Sequence, residues 1–193
     1  MTRRDALSRV SLILGGTIVG AELFLNGCGP SVPQVSATEF TAGTISFLDE
    51  VGEIIIPTSA SSPGAKAAKI GEFMKTIVTE CYEAKNQKIF FEGIGKLNEA
   101  AKAKSGGKTF LEMEPEAQKA LLTEIDVEAK AYAKENVANP EAPKHYFALM
   151  KQLTLWGYFS SEVGATQALR YVEAPGPYKG CIPYTKGEKA WAL

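Results

Sequence analysis

The sequence is poor in the side chains that bind metal ions and redox cofactors. Its 193 residues include one histidine, His145, and three cysteines, and no C-x-x-C-H haem motif occurs. An iron–sulfur cluster needs three or four thiolates, and a structural zinc site needs four ligands, mostly thiolates and imidazoles. The G-x-G at 93–95 lies inside a helical pattern, whereas a dinucleotide-binding loop follows a strand. We therefore expect the chain to bind no cofactor and no metal, and to carry no catalytic residues.

The sequence also lacks an apolar run long enough to span a bilayer. The run at 10–21 has about a dozen residues and stops at Glu22, whereas a membrane-spanning helix needs about 20. Arg3 and Arg4 precede this run, which is the pattern of a twin-arginine signal peptide. Proteins exported by this route cross the membrane already folded, commonly because a cofactor is inserted first. We therefore predict export in the company of a partner that holds the cofactor.

The apolar run is followed by Leu25-Asn26-Gly27-Cys28, which resembles a lipoprotein cleavage box. In that interpretation Cys28 becomes the lipidated first residue of the mature chain and anchors it to the membrane. The alternative is ordinary cleavage nearby, with Cys28 removed or left as a free thiol. These patterns predict a signal peptide at 1–27, a tether at 28–43 and one folded domain at 44–193, located in the periplasm at the membrane.

The composition is that of a globular protein without a strongly charged partner. Apolar residues make up 45% of the chain, charged residues make up 22%, and the formal net charge is −1. Nothing in this balance favours binding to nucleic acid or to an anionic membrane surface.

Apolar residues recur at helical spacing along most of the domain. Pro57 and the pair Gly106-Gly107 mark breaks, and Pro115 suits the first turn of a helix. No strand alternation and no internal repeat is evident. The predicted fold is all-α, a single bundle of five or six helices with a long C-terminal tail rich in proline and glycine. The predicted helices lie at about 44–56, 65–83, 86–102, 114–135, 144–159 and 161–171, and the tail begins at 175.

Cys81 and Cys181 remain after cleavage of the signal peptide, in an oxidising compartment. A disulfide between them would close a loop of about a hundred residues, which a chain-entropy model values at roughly 4–5 kcal/mol. Alternatively, Cys81 is a buried apolar residue of a helix, and Cys181 in the tail is free to bond to another subunit. The sequence does not choose between these arrangements.

His145 and Glu162 are the residues from which an enzyme hypothesis would start. His145 stands at a predicted helix start next to a proline loop, and no nucleophile pairs with it in the sequence. Glu162 follows Ser160 and Ser161, as an acidic residue does in the first turn of a capped helix. Capping roles are therefore favoured for both residues.

Aromatic residues are frequent in the last third of the chain. Most of them are expected in the core, but Tyr178 and Trp191 lie in the tail, and one small bundle cannot bury them all. Aromatic residues and arginine are enriched where proteins meet. The predicted partner surface consists of Trp156, Tyr158, Gln167, Arg170, Tyr171 and Tyr178.

Several of these segments resemble one protein family in order. They are DEVGEIIIPTSASSPGAKAAKIGEFM, CYEAKNQKIFFEGIGKLNEAAK, LTLWGYFSSEVGATQALRY, PGPYKGCIP and the final KAW. Together they resemble the gluconate 2-dehydrogenase subunit 3 family, the small or gamma subunit of membrane-bound FAD-dependent sugar dehydrogenases. The resemblance spans about residues 45–193.

The resemblance implies an accessory role. In this family a large flavoprotein of the glucose–methanol–choline oxidoreductase type holds FAD and oxidises the sugar, and electrons leave through an iron–sulfur cluster or a cytochrome c subunit. The small subunit has no redox centre; it binds the flavoprotein, helps it to mature and supplies the twin-arginine signal for both. A lipid anchor at Cys28 would replace a cytochrome as the membrane attachment, so the resemblance leaves a cytochrome partner open. The competing hypotheses are a stand-alone envelope lipoprotein that binds a ligand or another protein, and an enzyme that uses His145 and Glu162.

Overall fold

The computed structural model describes residues 34–139, 141–174, 176–177 and 179–192. Within these residues the chain forms five α-helices, three short helices of other kinds and no β-strand, which confirms the predicted all-α fold. None of the helices described is both long and apolar enough to cross a bilayer. The α-helices are α1 (Ala42–Ile55), α2 (Ile70–Cys81), α3 (Ala84–Ser105), α4 (Pro115–Glu135) and α5 (Tyr146–Ser160); the short ones are 3₁₀ turns at Ala65–Ala68 and Phe110–Glu112 and a π-helix at Gly164–Ala168.

Helix α1 begins two residues before the predicted start because Thr41 is its N-cap. The Thr41 hydroxyl accepts a hydrogen bond from the backbone N–H of Thr44 at 3.1 Å. This bond satisfies one of the N–H groups that a first turn leaves unpaired. The helix ends at Ile55, two residues ahead of Pro57, as the sequence predicts.

The helix predicted at 65–83 is divided, so the prediction of one continuous helix is wrong. Lys69 takes a left-handed conformation (φ 52°) between the 3₁₀ turn and α2. The residues on either side of this break, Ala65 and Ile70, are both fully buried. The break is followed by a close contact with α1, in which the N–H of Gly71 donates to Asp49 Oδ1 at 2.8 Å. Burial raises the pKa of this Asp49 carboxyl.

The connection between α3 and α4 uses local signals that the sequence displays. Gly106 ends α3 in a left-handed conformation (φ 72°), and its N–H donates to the carbonyl of Lys102. Thr109 and Glu112 form a reciprocal capping box around the second 3₁₀ turn. Pro115 is the first residue of α4, as predicted, where its missing N–H costs nothing.

Helix α5 is the centre of the bundle, since it contacts all four of the other α-helices. Its buried side chains meet those of α1, α2, α3 and α4 in one continuous apolar core. Within this core Phe47 of α1 packs edge-on against Phe110, with ring centroids 5.3 Å apart. The largest fully buried side chains are Tyr158, Phe47, Phe90, Phe110, Leu48, Ile70, Met74, Ile94, Leu97, Met150, Leu153 and Val51.

Residues 42–43 of the predicted tether belong to α1, and residues 34–41 pack on the bundle. Phe40 lies against Phe90 and Phe91 of α3, with ring centroids 6.2 and 5.0 Å apart. Ser36 is hydrogen-bonded to the buried hydroxyl of Thr44. These residues therefore belong to the folded domain and not to a free tether. The remainder of the predicted tether and the predicted signal peptide lie outside the described residues.

Candidate docking surface

Helix α5 is apolar on more than the side that faces the core. Its buried residues include Phe147, Met150, Leu153 and Tyr158. Three further large apolar side chains of the same helix, Leu155, Trp156 and Phe159, are exposed. A helix that is apolar around most of its circumference is normally covered on all sides. The exposed residues of α5 therefore form a candidate contact surface.

Trp156 is held in place although 53% of its surface is exposed. Its ring packs edge-on against Phe73 of α2, with centroids 5.5 Å apart and an interplanar angle of 89°. Such edge-to-face pairs fix the orientation of an aromatic side chain. A large aromatic residue that is already oriented loses little conformational entropy when a partner covers it.

The tail is exposed along its whole described length. Every described residue from 171 to 191 is exposed, and the large apolar residues among them are Tyr171, Val172, Ile182, Tyr184 and Trp191. Of the ten large apolar side chains that are exposed in the described part of the chain, eight lie between 155 and 191. Because single exposed apolar residues scatter over any surface, it is this concentration in the last quarter that indicates a contact surface.

The two ends of the tail are fastened to each other at Arg170. The N–H of Arg170 donates to the carbonyl of Ala190 at 2.8 Å, and its carbonyl accepts from the N–H of Ala192 at 3.0 Å. The Arg170 guanidinium lies 3.7 Å from the centroid of the Trp191 ring and also forms an ion pair with Glu188 at 2.8 Å. We call residues 171–190 the tail loop, since Arg170 joins its two ends; all of its described residues are exposed.

The six residues predicted for the partner surface divide into three groups. Trp156, Gln167 and Tyr171 are exposed, and Arg170 is half-buried in the contacts that close the tail loop. Tyr158 is 1% exposed and its hydroxyl donates to the carbonyl of Pro63, so its assignment to a surface is wrong. Tyr178 lies outside the described residues, as do the predicted export residues Arg3 and Arg4 and the predicted anchor Cys28.

The sequence prediction places Tyr158 on the surface because the last third of the chain has more aromatic residues than one small bundle can bury, and the sequence does not say which of them face inward. Helix α5 alone has more apolar residues than one face can hold. The same excess is the signal for Leu155 and Phe159, which the sequence prediction missed. Their spacing of four residues places them on one side of the helix.

Cys81 and Cys181 are both free thiols and both exposed. The structure therefore contains no disulfide between them, and the interpretation of Cys81 as a buried apolar residue is wrong. The helical stripe of α2 misled the prediction, because Cys81 is the last residue of that helix and projects beyond the core. A bond from Cys181 to another subunit stays a prediction.

His145 caps helix α5, as the sequence favours. Its Nδ1 accepts a hydrogen bond from the N–H of Phe147 at 3.2 Å, and its Nε2 lies 3.7 Å from Glu128 Oε1. Burial lowers the pKa of His145 and so favours the neutral ring, whose unprotonated nitrogen can accept this bond. The Nδ1 atom thus caps the helix start, while Nε2 faces Glu128 of α4.

Glu162 likewise sits in a capped first turn. The hydroxyl of Ser161 accepts from the N–H of Gly164 at 3.0 Å and donates to the carbonyl of Tyr158 at 2.7 Å. Here the predicted helix at 161–171 is only partly right, because the regular segment is a short π-helix at Gly164–Ala168. Its tight start brings Gly164 so close to the preceding helix that an added Cβ would lie 1.9 Å from the carbonyl oxygen of Tyr158.

No cluster of three or more potential metal ligands occurs among the described residues. An open hollow of about 640 Å³ lies between α4 and α5, with Ala129, Ala133, Leu155 and Trp156 in its lining. Its lining brings together small and apolar side chains with three charged ones, Asp126, Lys130 and Lys151.

A model of the family described as gluconate 2-dehydrogenase subunit 3 matches residues 42–176, more than two thirds of the chain. The match begins at the first residue of α1 and ends inside the tail loop, so it covers all five α-helices. It confirms the resemblance up to that point, while the KGCIP and KAW segments lie beyond the matched range. No curated protein and no solved structure matches the chain significantly.

Proposed function

Because the chain belongs to the gluconate 2-dehydrogenase subunit 3 family, we propose that it is the non-catalytic small subunit of a periplasmic FAD-dependent sugar dehydrogenase. In this proposal a flavoprotein subunit of the glucose–methanol–choline type holds FAD and oxidises gluconate, glucose or the 3-hydroxyl of a glycoside. The small subunit binds this flavoprotein, assists its maturation and stabilises it.

The observation that carries this proposal is the concentration of exposed apolar side chains on α5 and the tail loop. Monomeric soluble proteins rarely leave such residues uncovered, and aromatic residues dominate the energetics of protein interfaces. A family named for one subunit of a dehydrogenase supplies the class of partner.

Export is the second part of the proposal. A flavoprotein that folds around FAD in the cytoplasm and carries no signal of its own needs a bound partner with a twin-arginine signal. Arg3 and Arg4 supply that signal in this chain, and lipidation of Cys28 then holds the complex at the periplasmic face of the membrane.

Co-expression with a flavoprotein of the glucose–methanol–choline type, sought among the neighbouring genes, tests the proposal. We expect flavin-containing, active dehydrogenase in the periplasm when both genes are present, and cytoplasmic retention of both proteins in the Arg3→Lys, Arg4→Lys double variant. A flavoprotein that is exported and active without this chain would contradict the proposal. A stable monomer that purifies without any flavoprotein would favour the stand-alone envelope lipoprotein.

The docking surface has a matched pair of variants. Tyr184 of the tail loop and Val137 beyond α4 are exposed to nearly the same extent, 82% and 78%. Tyr184→Glu is expected to weaken co-purification of the flavoprotein, because it places a charge in the contact surface, whereas Val137→Glu is expected to leave it unchanged. Equal effects of the two variants would argue against the tail loop as the contact.

A further inference from the structure

A continuous groove runs along the hairpin of α4 and α5 and meets the exposed surface of α5 at Leu155 and Trp156. It consists of the hollow of about 640 Å³ and an adjoining one of about 350 Å³, which share Ala129, Ala133, Ala148 and Gln152. We call it the α4/α5 groove. From Ala148 to Trp156 it follows nine residues of α5, whose ends are about 12 Å or slightly more than two helical turns apart.

The floor of the groove is made of small side chains. Ala129 and Ala133 are one turn apart on α4, and Ala148 faces them from α5. Small residues allow the backbone of another helix to approach closely, and side chains of that helix to fill the space between the pair. Leu155 and Trp156, both exposed, form an apolar wall at one end.

The rim of the groove carries an excess of positive charge. Asp126 accepts hydrogen bonds from Lys130 at 2.7 Å and from Lys151 at 2.6 Å, so two ammonium groups share one carboxylate. These bonds, with that from Lys130 first, lower the pKa of Asp126. Lys144, farther along the rim, bonds only to the neutral side chain of Gln152 at 3.3 Å. The lining therefore contains three lysines and one carboxylate.

We propose that the α4/α5 groove binds an amphipathic helix of the dehydrogenase subunit, with large apolar side chains at i, i+3 or i+4 and i+7 and with Asp or Glu beside them. The apolar stripe fills the alanine floor against Trp156, and the acidic residues meet the ammonium groups of Lys130, Lys144 and Lys151. This inference rests on the proposed function, which supplies the partner.

A second copy of this chain fits the groove less well. Two copies placed groove to groove would set one positive rim against another, and like charges across an interface are unfavourable. An acidic helix of a different protein is complementary to the same rim. The positive charge of the lining thus favours an acidic helix of another protein over a second copy of this chain.

The test uses the full-length chain and the purified flavoprotein subunit, with binding measured by titration. Ala133→Trp fills the floor of the groove and is expected to weaken binding by about tenfold or more. Ala131→Trp is the matched control, because Ala131 is exposed on the same helix but does not line the groove.

Lys130→Gln is expected to weaken binding about threefold and to reduce the dependence of binding on salt. Lys134→Gln, outside the groove, is expected to leave both the affinity and its salt dependence unchanged.

Amide hydrogen exchange on the wild-type complex provides a reading that needs no variant. Protection of 129–133 and 148–156 on addition of the flavoprotein supports the proposal, and unchanged exchange there overturns it.

If the wild-type chain binds the flavoprotein and Ala133→Trp binds equally well, the groove proposal fails while the proposed function stands. If the wild-type chain does not bind, both fail. A wild-type dimer that Ala133→Trp converts to a monomer would assign the groove to a second copy and overturn the proposal.

Discussion

At the residue scale, the closest approach between α1 and α2 depends on Gly71. A Cβ at this position would lie 2.5 Å from the carbonyl oxygen of Ile45, a backbone atom that cannot move without the helix. Gly52 belongs to the same helix pair, but a Cβ there would meet Ala65 and Ile70 at 3.4 Å, an ordinary contact distance. A side chain is therefore sterically excluded at Gly71 but not at Gly52.

Gly71→Ala is expected to lower the free energy of unfolding by about 2–3 kcal/mol, because α1 and α2 must separate. Gly52→Ala is expected to leave it unchanged or to raise it by about 0.5 kcal/mol, since alanine favours the helix and the space is sufficient. Urea unfolding followed by circular dichroism measures both. Similar losses in the two variants would show that the approach at Gly71 is not the limiting contact.

His145 is the only histidine in the sequence, so it dominates the change of charge near neutral pH. Its side chain is 10% exposed, and Glu128, Lys96 and the rings of Tyr132 and Tyr146 surround it. Burial keeps its folded pKa below the unfolded value near 6.5. Protonation of Nδ1 would also remove the acceptor that caps α5.

Between these two pKa values the unfolded chain binds more protons than the folded chain, so stability is lost as the pH falls. We expect the free energy of unfolding of the wild type to decrease below pH 6.5 by at most about 1.4 kcal/mol per pH unit. His145→Asn retains a capping acceptor and does not titrate, so the difference between the two proteins isolates this group. A wild-type-minus-variant difference that is constant from pH 7.5 to 5.5 would contradict the assignment.

At the element scale, the start of α1 is organised by one buried hydroxyl. Thr44 is fully buried, and its Oγ1 accepts from the N–H of Ser36 at 3.0 Å and donates to the carbonyls of Ser36 and Glu39, both at 3.2 Å. This network attaches 34–41 to the bundle beside Phe40. Most residues of this segment are small and polar, so the sequence predicts a tether.

Thr44→Val is expected to lower the free energy of unfolding by about 2 kcal/mol, since it keeps the shape of the side chain but leaves buried polar groups without partners. Proteolysis within 34–41 should also become faster. Thr44→Ser retains the hydroxyl and is expected to lose less than half as much. Equal losses in both variants would assign the effect to packing of the methyl group alone.

The helices differ in how much of them the sequence could predict. Breaks at Pro57 and Gly106 and the start at Pro115 are local, because each residue limits its own backbone, and all three are found where predicted. The break at Lys69 has no such residue. It exists because Ala65 and Ile70 both reach the core only if the chain turns between them, and the contact of Gly71 with Asp49 fixes that turn.

At the scale of the whole molecule, the tail loop is held by the contacts of Arg170 at its two ends and not by burial. Arg170 joins it to Glu188 and Trp191, while the described residues from 171 to 191 remain exposed. A long loop with few buried contacts opens at low cost in free energy. The contacts of Arg170 therefore determine the position of the apolar side chains of the tail loop on the surface.

Arg170→Ala is expected to speed cleavage of the tail loop by chymotrypsin at least severalfold, because it removes both the ion pair and the stacking on Trp191. The free energy of unfolding of the helical bundle should change by less than about 0.5 kcal/mol, since little of the loop is buried. Arg170→Lys keeps the charge without the planar guanidinium, and an intermediate rate is expected. Mass spectrometry of the fragments measures the rate of cleavage. An unchanged rate in Arg170→Ala would show that closure of the tail loop does not depend on this side chain.

The sequence by itself determined the all-α class, most helix limits, the capping roles of His145 and Ser161, and the family. These follow from spacing, from residues that restrict their own backbone and from short ordered motifs, all of which are local properties. Only the tertiary structure decided that Tyr158 is buried while Trp156 is exposed, that Cys81 lies outside the core, and that α4 and α5 leave an alanine-floored groove. The physical reason is that α5 is apolar around most of its surface, so the other four helices, and not its own sequence, determine which of its sides is left uncovered.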